Sequence, residues 1–96
     1  MVAVKIKSMF DFIDIFGHHE VPLQVKKNTS IKEFIGMLLK KYGDKLKEKM
    51  IDPITGDVFE HLEILQNGRN IKFLQGHNTT LNEGDDVTIF VPIGGG

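Results

Sequence analysis

Two short segments near the start of the chain alternate between apolar and polar residues, which is the pattern of a β-strand with one buried face. They are residues 2–7, with the sequence VAVKIK, and residues 20–26, with the sequence EVPLQVK. Pro22 lacks the N–H that a central strand would donate, so the second strand is predicted at an edge of the sheet. The segment Met9 to Phe16 between them is rich in apolar residues and predicts one or two helical turns that end at Gly17.

A longer segment, from Ser30 to Gly43, follows the 3.6-residue period of an amphipathic helix. Ser30 and Glu33 have the spacing of a capping box at its start, and Gly43 marks its end. Gly36 inside the helix costs about 1 kcal/mol relative to alanine, and we predict that it permits close packing on the sheet. The apolar stripe of this helix consists of Ile31, Phe34, Ile35, Leu38 and Tyr42.

The second half of the chain alternates between turn signals and short apolar runs. Asp44 to Met50 predicts one or two more helical turns, and Leu62 to Leu65 predicts a third strand. Asn67-Gly68 is the pair that a type I′ hairpin turn favours, because both central residues need a positive φ. A strand that returns from this hairpin is therefore expected directly after it.

Ile71 and Phe73 are predicted on this short return strand, and residues 87–91, with the sequence VTIFV, on a last strand. The predicted order of elements is β, β, α, β, β, β. One main helix on one face of a mixed sheet of four to five strands is an α+β architecture.

Length and charge narrow the classes of function. The 96 residues fit one domain, predicted to span residues 1–93 and to be followed by a flexible glycine tail at residues 94–96. Twelve basic and thirteen acidic residues give a formal net charge of −1, which argues against nucleic-acid binding because phosphates attract a basic excess. No apolar run is long enough to span a membrane, and cysteine is absent. A cytoplasmic location without membrane association is therefore expected.

The sequence offers no pattern for a metal or a resident cofactor. The four histidines lie at positions 18, 19, 61 and 77, and their spacing does not resemble that of a zinc site. The glycines do not form the Gly-x-x-x-x-Gly-Lys loop that holds phosphates. Asp85-Asp86 reads as turn chemistry before a strand rather than as a catalytic pair.

Candidate chemistry is concentrated at the C-terminus, where Gly94, Gly95 and Gly96 follow Pro92-Ile93. Glycine loses much conformational entropy when it is ordered and has no side chain to bury, so this tail is expected to be mobile. Without Cβ atoms it can thread a narrow channel. The Gly96 carboxylate is a poor electrophile because it is anionic, and conversion to an acyl-adenylate would make it reactive toward sulfur or amine nucleophiles.

Residues 80–96, with the sequence TLNEGDDVTIFVPIGGG, resemble the ending of the MoaD family, the small subunits of molybdopterin synthase. Residues 65–69 are similar to that family's hairpin, and residues 12–17 to the segment after its first strand. The resemblance implies a ubiquitin-like β-grasp fold, which ThiS-like carriers and archaeal modifiers of the SAMP type share. Val91 stands in place of the first proline, and residues 44–60 are longer than in the shortest bacterial members.

The resemblance implies a role for the tail in which ATP and the catalytic groups belong to partners. An adenylating enzyme of the ubiquitin-activating type (MoeB- or UbaA-like) would adenylate Gly96, and a sulfur donor would convert it to a thiocarboxylate. A MoaE-like subunit would then use that sulfur for molybdenum cofactor biosynthesis, with this chain as its sulfur-donating subunit. The alternative is a SAMP-type protein modifier that is joined through Gly96 to target lysines by isopeptide bonds. A third possibility is a passive interaction module without tail chemistry.

Four residues near the tail are predicted to contact partners. Phe90 should point away from the face of Val87 and Ile89, which places an aromatic ring on the open face of the sheet. Met9 occupies a position that the resembled family uses for an interface aromatic. Pro92 and Ile93 connect the domain to its tail, so they are expected to contact the same partners.

Overall fold

The computed structural model describes residues 1–92, apart from the side chain of Asp11. The elements within this range follow the predicted order. The helical turns predicted before and after the main helix are short helices. The strands are β1 (Val2–Ser8), β2 (Glu20–Val25), β3 (Glu63–Gln66), β4 (Arg69–Asn70) and β5 (Asp86–Phe90). The helices are α1 (Asp11–Phe16), α2 (Ile31–Tyr42) and α3 (Asp44–Met50), and two 3₁₀ turns lie at Ile71–Phe73 and Gly76–Asn78.

The described strands form one mixed sheet in the order β2-β1-β5-β3-β4. The central pair, β1 and β5, is parallel, whereas β2 pairs with β1, and β3 pairs with β5 and β4, in antiparallel fashion. The edge position of β2 confirms the interpretation of Pro22, which lies opposite Lys5. This arrangement is the predicted ubiquitin-like β-grasp.

Helix α2 covers one face of the sheet through its apolar stripe. Its residues Ile31, Phe34, Ile35 and Leu38 are buried, and they share one core with the inward side chains of the central strands. Those inward side chains are Val4 and Ile6 of β1, Ile64 of β3, and Val87 and Ile89 of β5. The alternation of buried and exposed positions along these strands therefore reports which sheet face the helix covers.

A complete capping box starts α2. The Ser30 hydroxyl accepts a hydrogen bond from the Glu33 backbone N–H at 3.1 Å, and Glu33 Oε1 accepts from the Ser30 N–H at 3.0 Å. The hydrogen bond from the Ser30 backbone, then that from its hydroxyl, and finally the charge of Lys26 hold the pKa of Glu33 below its ordinary value. The ionised carboxylate is thus the form that the folded state prefers.

Helix α3 extends the core beyond the end of α2. Its residues Leu46 and Met50 are fully buried, which confirms the helical turns predicted at this position. Gly43 joins the two helices with a φ of 73°, a value that glycine adopts without the clash that a Cβ causes. Tyr42 packs edge-on against Phe16 with 4.8 Å between ring centroids, and partial burial raises the pKa of Tyr42.

The predicted return strand at Ile71 and Phe73 is wrong in extent. Strand β4 ends at Asn70, and the next three residues form a 3₁₀ turn. The cause is local, because Asn70 Oδ1 accepts a hydrogen bond from the Lys72 N–H at 3.0 Å and so offers the backbone an alternative to the ladder. As a result Ile71 is buried, whereas Phe73 is 87% exposed.

The predicted packing role of Gly36 is also wrong. Gly36 lies on the exposed side of α2, and a Cβ built there would meet nothing within 4 Å. The sequence pattern placed it outside the apolar stripe, and the structure shows no compensating contact for its low helix propensity.

We therefore expect Gly36→Ala to stabilise the protein by about 0.5–1 kcal/mol, because alanine restricts the unfolded chain and fits the helix without strain. Urea denaturation followed by circular dichroism measures the change. The matched control is Gly84→Ala, which should destabilise because Gly84 has a φ of +84°. An unchanged or lower stability of Gly36→Ala would contradict the prediction.

The lowered pKa of Glu33 predicts a specific pH dependence. A carboxyl whose pKa is lower in the folded than in the unfolded state stabilises the fold above the unfolded value, and this contribution is lost as the pH falls through the folded value. The wild-type protein should therefore lose stability on acidification below about pH 4.3, the ordinary glutamate pKa, more steeply than Glu33→Gln. Urea denaturation at a series of pH values tests this, and parallel curves for the two proteins would refute it.

Candidate functional site

The base of the C-terminal tail is held in the middle of the sheet. Strand β5 lies between β1 and β3, and ends at Phe90. Val91 then packs against the core, and Pro92 is exposed. The predictions for Ile93, Gly94, Gly95 and Gly96 fall outside the described residues. The structure thus fixes the point from which the tail starts.

Phe90 lies on the sheet face opposite the helix, as predicted. Its neighbour Ile89 is fully buried, whereas Phe90 is half-buried and pairs across the sheet with Glu63. Met9 follows Ser8, the residue of β1 that pairs with Ile89, and it is 39% exposed. Met9 and Phe90 therefore lie at the same end of the central strand pair, beside the start of the tail.

Most of the remainder of this open face is polar, although Leu65, which pairs with Thr88, adds a partly exposed apolar side chain. Lys7 Nζ lies 3.1 Å from Asp86 Oδ2 and 3.9 Å from Glu20 Oε1, and Asn70 donates a hydrogen bond to Glu63. Exposed ion pairs of this kind contribute about 0–1 kcal/mol to stability. Met9, Phe90 and Leu65 thus give this face an apolar part beside a charged part, which is the composition of a partner contact.

A groove on another side of the tail base was missed by the sequence reasoning. It has a volume of about 400 Å³ and shares Val91 and Pro92 with the tail base. Its other apolar and aromatic walls come from Phe10, Phe12, Phe59 and His61, with Glu48 and Lys49 of α3 also in the lining. We call it the Phe10 groove.

The signals for this groove were weak for two reasons. Phe10 falls in the segment that the pattern assigned to helical turns, but it precedes α1 and is 49% exposed. Phe59 and His61 lie in the connection between α3 and β3, where no hydrophobic period exists. Phe59 and His61 stack locally with 5.0 Å between ring centroids, but only the tertiary structure brings them to Phe10 and the tail base.

A buried carboxylate ties the hairpin to the start of β5. Asp85 accepts hydrogen bonds from Gln66 Nε2 at 2.6 Å, Asn67 Nδ2 at 2.9 Å and the Asn82 N–H at 2.8 Å. Asn67 Oδ1 in turn accepts from the Asp86 N–H at 2.9 Å. Asn67 and Gly68 both have positive φ, as the predicted hairpin turn requires. Asp85 therefore acts as a structural acceptor, in agreement with its interpretation as turn chemistry.

The described side chains do not include three His, Cys, Asp or Glu residues placed to hold a metal ion. No helix within residues 1–92 combines the length and the apolar composition that crossing a membrane needs. The candidate site therefore consists of the tail base and the two surfaces beside it.

The family model described as the ThiS family matches residues 11–96. The chain belongs to the ThiS family. This match confirms the family resemblance that the C-terminal sequence predicted, and the β-grasp topology agrees with it.

Individual ThiS-family relatives extend the comparison over the whole chain. The small archaeal modifier protein 3 of Haloferax volcanii is 28% identical over 95 residues, which cover 99% of this chain and 100% of the relative. The solution structure of small archaeal modifier protein 1 from Methanosarcina acetivorans has a TM-score of 0.78 at 27% identity, and the match covers 100% of this chain and 98% of that one.

A second solved structure supports the fold alone. A chain from Pyrococcus furiosus assigned as molybdopterin converting factor subunit 1 matches with a TM-score of 0.73 at 20% identity, over 97% of this chain and 100% of that one. The fold of this chain is thus shared with these proteins over nearly their full lengths.

Removal of the Asp85 carboxylate should destabilise the fold, because the buried Gln66 Nε2 would keep only its hydrogen bond to the Thr80 carbonyl and the hairpin would lose its tie to the start of β5. We expect Asp85→Ala to cost about 1–3 kcal/mol, measured by urea denaturation. Asp86→Ala is the control, since it removes only an exposed ion pair worth about 0–1 kcal/mol. Equal effects of the two substitutions would show that Asp85 does not hold the hairpin.

Proposed function

We infer that this protein is a ubiquitin-like carrier that works through its C-terminal glycine, Gly96, which a separate adenylating enzyme activates. The observation that carries this proposal is the position of β5, which starts the tail from the centre of a rigid sheet between two surfaces suited to partners. Membership of the ThiS family supports it. The flexible tail at residues 94–96 is part of the proposal.

In the first step of the proposed chemistry, a Gly96 carboxylate oxygen attacks the α-phosphorus of ATP. The bond between the α-phosphate and the bridging oxygen breaks, pyrophosphate leaves, and an acyl-adenylate forms. A nucleophile then attacks the Gly96 carbonyl carbon and AMP leaves. The enzyme that binds ATP supplies the catalytic groups, and this chain supplies the acyl group.

In the sulfur-carrier role, the nucleophile is hydrosulfide released by a sulfur donor: its sulfur bonds to the Gly96 carbonyl carbon as AMP leaves, its proton goes to solvent, and the product is a thiocarboxylate on Gly96. A MoaE-like subunit would take up the tail and transfer this sulfur to a pterin precursor of the molybdenum cofactor. The family match favours this role. The absence of cysteine is compatible with it, because the transferred sulfur belongs to the terminal acyl group.

In the modifier role, the nucleophile is the ε-amine of a target lysine, which loses a proton as the isopeptide bond forms and AMP leaves. The full-length similarity to small archaeal modifier proteins favours this role. Both roles use the same activated Gly96, so one protein can serve both. They differ in the nucleophile that reaches the adenylate.

Deletion of Gly95 and Gly96 should abolish both roles while leaving the fold intact, because the core residues that the structure describes lie within residues 2–91. Intact mass spectrometry of protein from its own host would show a thiocarboxylate as a gain in mass equal to the difference between one sulfur and one oxygen atom. Peptide mass spectrometry of other proteins would show conjugation as a Gly-Gly remnant on lysine.

The control is Phe73→Ala, which removes a ring that is 87% exposed and far along the chain from the tail. It should behave as the wild type in both assays. A wild-type protein with neither modification, in cells grown with and without oxygen, would leave the passive interaction module as the remaining interpretation.

A further inference from the structure

The Phe10 groove contains a residue in an unfavourable backbone conformation. Phe10 has a φ of 55° and a ψ of −128°, the region of the first central residue of a type II′ turn, where glycine is usual. A Cβ is strained there, and an aromatic residue at such an angle is an outlier. Because the ring is 49% exposed, burial in the core does not account for its presence.

The turn at Phe10 directs the side chains of Met9 and Phe10 to different surfaces. The Phe12 N–H donates to the Met9 carbonyl at 3.2 Å and the Ile13 N–H to the Phe10 carbonyl at 3.1 Å, so the turn leads directly into α1. Phe10 lines the groove, whereas Met9 does not. The two exposed side chains therefore extend an apolar surface from the Met9–Phe90 end of the open face to the groove.

The wall opposite Phe10 is held in place by the backbone. The Phe59 N–H donates to the Met50 carbonyl at 2.9 Å, which ties this wall to the end of α3, and the Leu62 N–H donates to the Phe59 carbonyl at 3.1 Å. Phe59 is partly buried against the core, and His61 stacks on it with an angle of 25° between the rings. The groove is thus formed in the free protein rather than created by a partner.

The short tail limits how far an enzyme that acts on Gly96 can be from this groove. Four residues follow Pro92, and an extended chain of four residues spans at most about 14 Å. Any enzyme that acts on Gly96 must bring its active site within that distance of Pro92. Because Pro92 and Val91 are walls of the groove, an enzyme bound to the tail lies close enough to contact the groove.

We propose that the Phe10 groove receives an aromatic or long aliphatic side chain of the adenylating enzyme, and that this contact holds the two proteins together; the proposal rests on the function proposed above. The groove is concave, with aromatic walls and a polar rim. In sites of this kind, one apolar side chain of the partner often supplies much of the binding energy of the interface. The volume of about 400 Å³ is sufficient for such a side chain.

The test uses the full chain and the adenylating enzyme of its own host, purified as the protein that exchanges pyrophosphate into ATP only when this chain is present. Phe10→Gly removes the ring and the backbone strain together, so the variant should fold. We expect it to raise the KM for this chain about tenfold, the effect of losing one well-buried anchor, with kcat unchanged. Phe10→Tyr keeps the ring and should restore the wild-type KM.

Two further variants make the test specific. Glu48→Trp places a large ring at the exposed rim of the groove and should also raise the KM, without removing a core contact. Phe73→Ala removes a phenylalanine elsewhere that is more exposed than Phe10 and should leave the KM at the wild-type value. Thermal unfolding of each variant confirms that it is folded.

The outcomes separate this proposal from the one on which it rests. If the wild type supports exchange but Phe10→Gly and Glu48→Trp both keep its KM within about twofold, an effect too small for an anchor, the groove proposal is wrong and the tail activation stands. If a fall in kcat replaces the rise in KM, the groove acts on the chemical step and the docking proposal is wrong. If no enzyme of the host supports exchange with the wild type, both proposals fall.

Discussion

The pairing of the last strand between the first and third strands is the constraint on which the rest of this structure depends. Residues 5–8 of β1 pair in parallel with residues 86–89 of β5, so the two ends of the chain hold each other in the centre of the sheet. Helix α2 covers the face that this pair presents, and the β3–β4 hairpin attaches through the other edge of β5. Without this pairing, the helix would have no continuous surface to bury.

The same pairing connects the fold to its proposed function. The tail begins at the end of a strand with neighbours on both sides, so its starting point cannot shift without disruption of the core. Met9 and Phe90 on the open face and the Phe10 groove lie around this point. A partner can therefore recognise the rigid surroundings of the tail and act on the glycines that follow.

The elements that could be predicted from the sequence are those in which a local pattern and the tertiary structure agree. The capping box of Ser30 and Glu33, the Asn67-Gly68 turn and the alternation in β5 each depend on neighbouring residues, and the structure confirms them. Pro22 indicated an edge strand because a missing donor excludes a central position. The ending of the chain indicated the family, although the chemistry of the tail remains a proposal.

The features that could not be predicted depend on contacts between distant segments or on side chains that compete with the backbone. The Phe10 groove combines residues from the end of β1, α3, the following connection and the end of β5, and no local pattern links them. The return strand was predicted too long because the Asn70 side chain captures the Lys72 N–H. Gly36 appeared to need a packing reason, and the structure contains none.

The connection from α3 to β3 has a consequence for how this protein can diversify. It is attached through the Ile51–Val58 bridge, the hydrogen bond from the Asp52 N–H to the Asp57 carbonyl, and the bond from Phe59 to Met50. These are mostly backbone contacts, so the sequence between them can change while the sheet and the tail stay constant. Under the proposed groove contact, selection can alter which enzyme a given copy of this fold recognises without a change in its tail, and a cell with several such proteins can keep their pathways separate.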